Sequence, residues 1–184
     1  YNTDSQWFII SDQRKESSVL QISDDKTAVV PLHYQYKRTG TGKDKQTQWK
    51  FQPEKNIAFC VNEDDEEHQI SVDFSEPVQD KLSYHLQQRL NLIKNAEQKH
   101  FVYQVLQNSG KTKNYVYEYD GEDELMLPYG NIKTIRLKRE VVEKQKITYA
   151  WFAPELDYLL VRLHQVKAGV DQFEAQLDKY ILTE

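Results

Sequence analysis

The sequence predicts a mainly β fold, an antiparallel meander interrupted by one helix, and three observations predict it. Apolar and polar residues alternate over short runs, turn-forming residues separate those runs, and at one place the apolar spacing lengthens from two to three and four.

The alternating runs fall at 6–10, 17–23, 27–38, 46–52, 56–62 and 68–74, and resume at 100–107, 114–119, 124–127, 131–142, 146–152, 157–167 and 171–181. Asp24-Asp25, Gly40-Thr41-Gly42, Asp120-Gly121, Pro128-Tyr129-Gly130-Asn131 and Ala168-Gly169 stand between them, residues that tolerate turn dihedrals. Strands joined by such short loops pair antiparallel, and no long repeat or linker divides the chain, so a single domain over 1–184 is expected. The break is a helix over about 78–95. Val78, Leu82, Leu86, Leu90 and Ile93 draw an apolar stripe, Ser75 and Pro77 mark its entrance, and Lys94 suits the negative end of its dipole. One amphipathic helix must lie on the sheet, and it is too short to cover ten or more strands. A leftover apolar groove is therefore expected.

Composition narrows the function. The net charge is -5, against nucleic acid as the main partner. No run of 18 apolar residues occurs. One cysteine, Cys60, excludes an internal disulfide, and its setting in "IAFCV" suits an inert buried thiol. The chain opens at Tyr1 almost inside a strand-like run and without a starting Met, which reads as a processed, trimmed or partly ordered product.

Candidate chemistry is sparse. Glu155 and Asp157 in "WFAPELDY" could divide acid and base roles, but a proline corner between strands accounts for both. "GTGKDK" lacks the spacing and following helix of a phosphate loop, and "NEDDEEH" lacks the alternating ligands and glycine of a calcium loop. His33, His68, His85, His100 and His164 are scattered, without a cysteine companion. No catalytic residue, metal ligand or cofactor is expected. Tyr115, Tyr117 and Tyr119 form a same-face row, either cross-strand packing or a ligand face.

The stretch "WFAPELDYLLVRLHQ" resembles the signature of the bacterial domain of unknown function 3108 family, Trp-Phe-Ala-Pro-(Asp/Glu)-Leu-x-Tyr-Leu-Pro-Val-Arg-Ile-(Glu)-Gln. Trp151, Phe152, Ala153, Pro154, Glu155, Leu156, Tyr158, Leu159, Val161, Arg162 and Gln165 match it, and Leu160 stands where proline is usual. "VVPLHYQYKR" resembles the family's Pro-x-x-Tyr-x-Tyr strand, Asp80, Leu82 and Ser83 its Asp-x-Leu-Ser helix, and "LPYGNIKTIRLKR" its glycine hairpin. The resemblance implies a periplasmic protein of the Gram-negative cell envelope. It also implies a fold similar to the outer-membrane lipoprotein carriers, a sheet curled into an open half-barrel with a helix on the concave side. It implies that one or two N-terminal strands and the signal peptide of the parent protein are missing from 1–184, and it implies no reaction.

The expectation is thus a non-enzymatic protein binding a hydrophobic or lipid-like ligand in the groove of the curled sheet. The lining expected is Tyr149, Trp151, Leu159, Val161, Phe173 and Leu86, with Arg162 as head-group holder or, more plainly, an ion-paired sheet arginine. The alternatives are an envelope scaffold docking a protein through a sheet edge or the tyrosine row, and a protein that binds or hydrolyses envelope glycans. A monomer at most peripheral to a membrane is expected.

Overall fold

A computed structural model describes residues 12–40, 44–61, 67–72 and 77–181. The strand expected at 6–10 and the acidic run 62–66 lie outside them. Five strands, β1 (Asp12–Ile22), β2 (Val29–Gly40), β3 (Lys45–Gln52), β4 (Ile57–Val61) and β5 (Glu67–Ser71), pair antiparallel in chain order as a first sheet. The second sheet holds β6 (Val78–Gln79), β7 (His100–Leu106), β8 (Thr112–Leu127), β9 (Gly130–Val141), β10 (Lys146–Ala153), β11 (Leu159–Lys167) and β12 (Val170–Gln176), again in chain order. Only β6 with β7 is parallel, and helix α1 (Ser83–Lys94) follows β6. The fold is mainly β with one helix, its sheets not closed into a barrel. The meander breaks in two between β5 and β6 rather than running as one sheet.

Three hairpins share one corner. After β3, β9 and β10 the chain makes a single 3-10 turn (Pro53–Lys55, Val142–Lys144, Pro154–Leu156) and then one left-handed residue. Those residues are Asn56, Gln145 and Asp157, with φ of 53°, 48° and 50°, and each donates its N–H to the first carbonyl of its turn. Proline presets φ in two of the corners, and Asn and Asp tolerate the left-handed region. Glu155 and Asp157 are corner residues of this kind, both exposed. Tyr158 (φ 55°) is held in the same conformation by its N–H bond to Ala153 O at 2.8 Å and by ring packing on the core.

Asp120-Gly121 departs from the expected turn. It is a β-bulge inside the 16-residue strand β8, with the register slipping between Tyr119 and Gly121. Gly121 takes φ 118°, and the extra residue is absorbed without breaking the strand.

The helix also differs from expectation. Asp80 Oδ1 accepts the N–H groups of Leu82 (2.7 Å) and Ser83 (2.8 Å), and Ser83 Oγ accepts the N–H of Asp80 at 2.9 Å. This reciprocal bonding orders the turn at 80–82 that leads into α1 at Ser83, and it leaves Val78-Gln79 to pair as β6. It also gives the Asp-x-Leu-Ser pattern a physical meaning. The expected stripe is not the buried face: Ile93 is 52% exposed and Leu82, Leu86 and Leu90 are half-buried. Ser83, Tyr84, Gln87, Gln88 and Leu92 are the buried residues.

Gln87 and, on β6, Gln79 are buried because the start of β2, paired with β1 on one side, lacks a partner on its β3 side. β3 pairs with β2 only from His33 to Arg38. Gln87 Oε1 accepts the Val29 N–H (2.7 Å), Gln79 Nε2 donates to Val29 O (2.8 Å), and Gln87 Nε2 donates to Thr27 O (2.9 Å). Side-chain amides thus complete a strand edge that would otherwise bury bare polar groups. Buried Asp80 also takes a hydrogen bond from Ser18 of β1.

Apolar packing forms three clusters. Tyr84 and Leu92 of α1 press on Phe101, Tyr103, Tyr117, Leu137, Ala150 and Phe152, one face of the second sheet. Tyr34, Trp49, Phe51 and Cys60 of the first sheet pack with Val78 and Leu106. Leu127, Ile132, Trp151, Ala153 and Val161 pack on the other face of the second sheet. Burial pushes the Cys60 thiol pKa up, as suits an inert thiol.

His85 lies with its ring 4.0 Å from that of Tyr84 and its Nδ1 3.0 Å from Gln88 Oε1. Burial lowers its pKa from 6.5 to about 4, outweighing the Gln88 bond. The unfolded chain therefore binds the extra proton between these values, and stability falls as pH falls through that window. Comparing pH 7 with pH 4.5 by urea unfolding, His85→Phe is expected to remove on the order of 1–2 kcal/mol of the acid sensitivity; an unchanged pH slope refutes this. Asp80→Ala is expected to cost roughly 2–3 kcal/mol, through the lost cap and a stranded Ser18 hydroxyl. Asp80→Asn, which keeps an acceptor for the cap, should cost less than about half of that in the same unfolding measurement.

Candidate functional site

The residues expected to line a groove under the helix divide. Tyr149, Trp151, Leu159 and Val161 come together, but on the sheet face opposite α1, with Leu177 folded over them. The alternation of β10 decides this: Ala150 and Phe152 face the helix, so Trp151 cannot. Leu86 is on the half-buried flank of α1 and outside all three clusters. Arg162 sits 4.6 Å from the Trp151 ring centre and bonds Glu174 at 2.8 Å, the ion-paired sheet arginine of the plainer reading. Of the set, Phe173 lines an open cavity. The space under α1 is filled by side chains. The tyrosine row is packing at its centre: Tyr117 is fully buried and its hydroxyl lies 3.3 Å from that of Tyr84.

The open space lies elsewhere, in a cleft of ≈ 980 Å³ between the two sheets. Registers show how it arises. Across the second sheet, Leu137, Ala150 and Leu163 stand side by side beneath the helix. One step along each strand, Arg139, Thr148, Gln165 and Phe173 stand side by side in the same way. The first sheet repeats the pattern. Tyr34 and Trp49 are paired in its core, Tyr36 and Thr47 come next, and Arg14, Arg38 and Lys45 end the row in direct register. The inner face of both sheets passes from aromatic core to cation at one end. The surface that the helix leaves uncovered is therefore basic, not the apolar groove expected.

Eight basic side chains and three acidic ones line the cleft, an excess of five positive charges in a chain of net charge -5. Two of the carboxylates are engaged: Glu16 accepts the Tyr34 hydroxyl (2.9 Å) and Glu140 pairs with Lys138 (2.8 Å). The guanidinium of Arg139 lies 3.6 Å from the Tyr115 ring centre. Lys81 bonds Asn108 Oδ1 (2.8 Å) and faces the Tyr36 ring at 5.8 Å. Burial pulls the pKa of Lys81 down. It does the same to Lys146, which is lowered further by the charges of Arg139, Lys144, Lys81 and Lys167. The walls between the cations are aromatic and aliphatic: Tyr36, Tyr115, Val116, Val141, Val142 and Phe173. The cleft thus sets a row of cations beside apolar surface.

Sequence reading missed these cations, although strand alternation carried a sign of them. Phe51, Trp49, Thr47 and Lys45 share a face, as do Phe152, Ala150, Thr148 and Lys146, and each apolar row ends in a lysine.

A smaller cavity of ≈ 420 Å³ lies beyond the C-terminal end of α1, where Glu97, Glu122 and Glu155 mix with Lys99 and Lys133. Lys99 rests 3.5 Å from the Tyr119 ring centre. Among the described residues no group of three His, Cys, Asp or Glu side chains could hold a metal ion, and no helix is long and apolar enough to cross a membrane.

No curated protein matches the sequence. Among solved structures the chain is similar to the β-barrel-like protein of domain of unknown function DUF1849 from Brucella abortus, at 6% identity and a TM-score of 0.54. The match covers 96% of this chain and 76% of that one, and it supports the fold alone. Residues 1–178 match the family described as protein of unknown function DUF3108. With nearly the whole chain matched and its tryptophan-to-glutamine signature folded as a strand, a corner and a second strand, the chain belongs to the DUF3108 family.

Proposed function

We propose that this chain is a non-enzymatic binding protein of the bacterial cell envelope, periplasmic as its family resemblance implies, that takes a lipid-like amphiphile in the cleft between its sheets. The carrying observation is the cleft itself: ≈ 980 Å³, with aromatic and aliphatic walls and a fringe of cations. That volume is at the upper end of small-molecule sites, and a site for an amphiphile needs this mixture of apolar wall and orienting charge. The acyl part lies against Phe173 and Val141, and the head group meets the basic end of the strands.

One observation favours docking of a protein instead. Every residue of β12 is exposed, Val170 by 62%, and β12 ends its sheet among the described strands. An uncovered edge strand can accept a strand from a partner.

Titration with the fluorescent fatty acid cis-parinaric acid is expected to show saturable one-to-one binding. Phe173→Asp should weaken it about tenfold. Met126→Asp, at a site 85% exposed and outside the cleft, should leave it unchanged. No saturation, or equal binding by the Phe173 variant, rejects the amphiphile reading and leaves the β12 edge as the favoured surface.

A further inference from the structure

The cations of the cleft are arranged in two opposed sets. One wall carries Arg14, Arg38 and Lys45, adjacent across three strands. The other carries Arg139, Lys144 and Lys146 from β9, its corner and β10, and Lys113 and Lys81 stand at the sides. Like charges opposite one another in a sheet are destabilising, and a low-dielectric cleft strengthens their repulsion. The chain has 29 Asp and Glu residues for 24 Lys and Arg, so composition offers carboxylates enough to pair these cations. Among the described residues no ion pair is formed by Lys146, Lys113 or Lys144.

The size of the imbalance selects the ligand. A fatty acid brings one negative charge, whereas six cations of the cleft, Lys45, Lys81, Lys113, Arg139, Lys144 and Lys146, form no ion pair among the described residues, against the one remaining carboxylate, Glu143, an excess of five. A phosphate monoester carries about 1.5–2 charges at neutral pH, so two phosphates balance most of that excess. Guanidinium groups also match phosphate oxygens in bidentate geometry, and Arg139 is already oriented by its stacking on Tyr115. Resting on the reading of this cleft as the binding site, we propose that its ligand bears two or more phosphate groups, clamped between the basic rows of the two sheets, with Lys146 and Arg139 as principal contacts. The phosphates belong either to the head of an amphiphile or to a soluble oligophosphate.

Calorimetric titration with farnesyl pyrophosphate, farnesyl monophosphate, farnesol and inorganic pyrophosphate separates these cases. The expected result is farnesyl pyrophosphate binding at least tenfold tighter than the monophosphate, and weakening steeply with added sodium chloride. Lys146→Gln and Arg139→Gln should each reduce its affinity about tenfold and leave farnesol binding as it was. Because the cations repel one another, Lys146→Gln should also raise the melting temperature of the unliganded protein, so lost binding is not lost folding. Pyrophosphate binding as tightly as farnesyl pyrophosphate assigns a soluble ligand, keeping the phosphate proposal and ending the amphiphile reading. Farnesol binding as tightly as farnesyl pyrophosphate overturns the phosphate proposal and keeps the amphiphile reading. Binding of none of the four overturns both.

Discussion

The arrangement depends on a polar latch. Gln79, Asp80 and Gln87 hold the segment 79–87 against β1 and the open start of β2 through buried hydrogen bonds. Without these bonds, the backbone groups of Val29 would be buried unpaired, at a cost of about 1–3 kcal/mol for each group. Apolar contact alone would let the helix slide, whereas paired amides specify one position. That position fixes how much of the inner surface α1 covers, and so where the cleft begins.

Covering and uncovering are thus parts of one design. Under α1 the inner face is aromatic and dry, with Phe101, Tyr117 and Phe152 fully enclosed. One register step farther the same strands present Arg139 and Thr148, and at the second step Lys146. A dry interior could not hold these charges, and the apolar core could not hold a charged ligand. The sheets remain apart at this end, where basic side chains replace the interlocking aromatics found under the helix.

Much of the fold was legible because alternation is a local property. Strands such as 146–152 and 157–167 are predicted within a residue or two of their observed limits. β8 was not, because Asp-Gly has the chemistry of a turn, and only the pairing of Arg136 opposite Gly121 makes it a bulge. The buried side of α1 was hidden for a related reason. Periodicity measures hydrophobicity, and the inward side chains include Gln87, whose value lies in a strand edge 58 residues away. The cleft was the least legible part. Its cations come from distant strands, and only the two registers place Arg14 beside Arg38 and Lys45.

The latch also bears on how the chain reaches this state. Nearly every strand pair is a hairpin between neighbours in sequence, so most of the architecture can assemble over short range. The bonds Ser18–Asp80, Val29–Gln87 and Val29–Gln79 instead join residues 62, 58 and 50 positions apart. Closing loops of that length carries an entropic cost that the hairpins escape. Docking of the two sheets upon each other is accordingly expected to follow the hairpins within each.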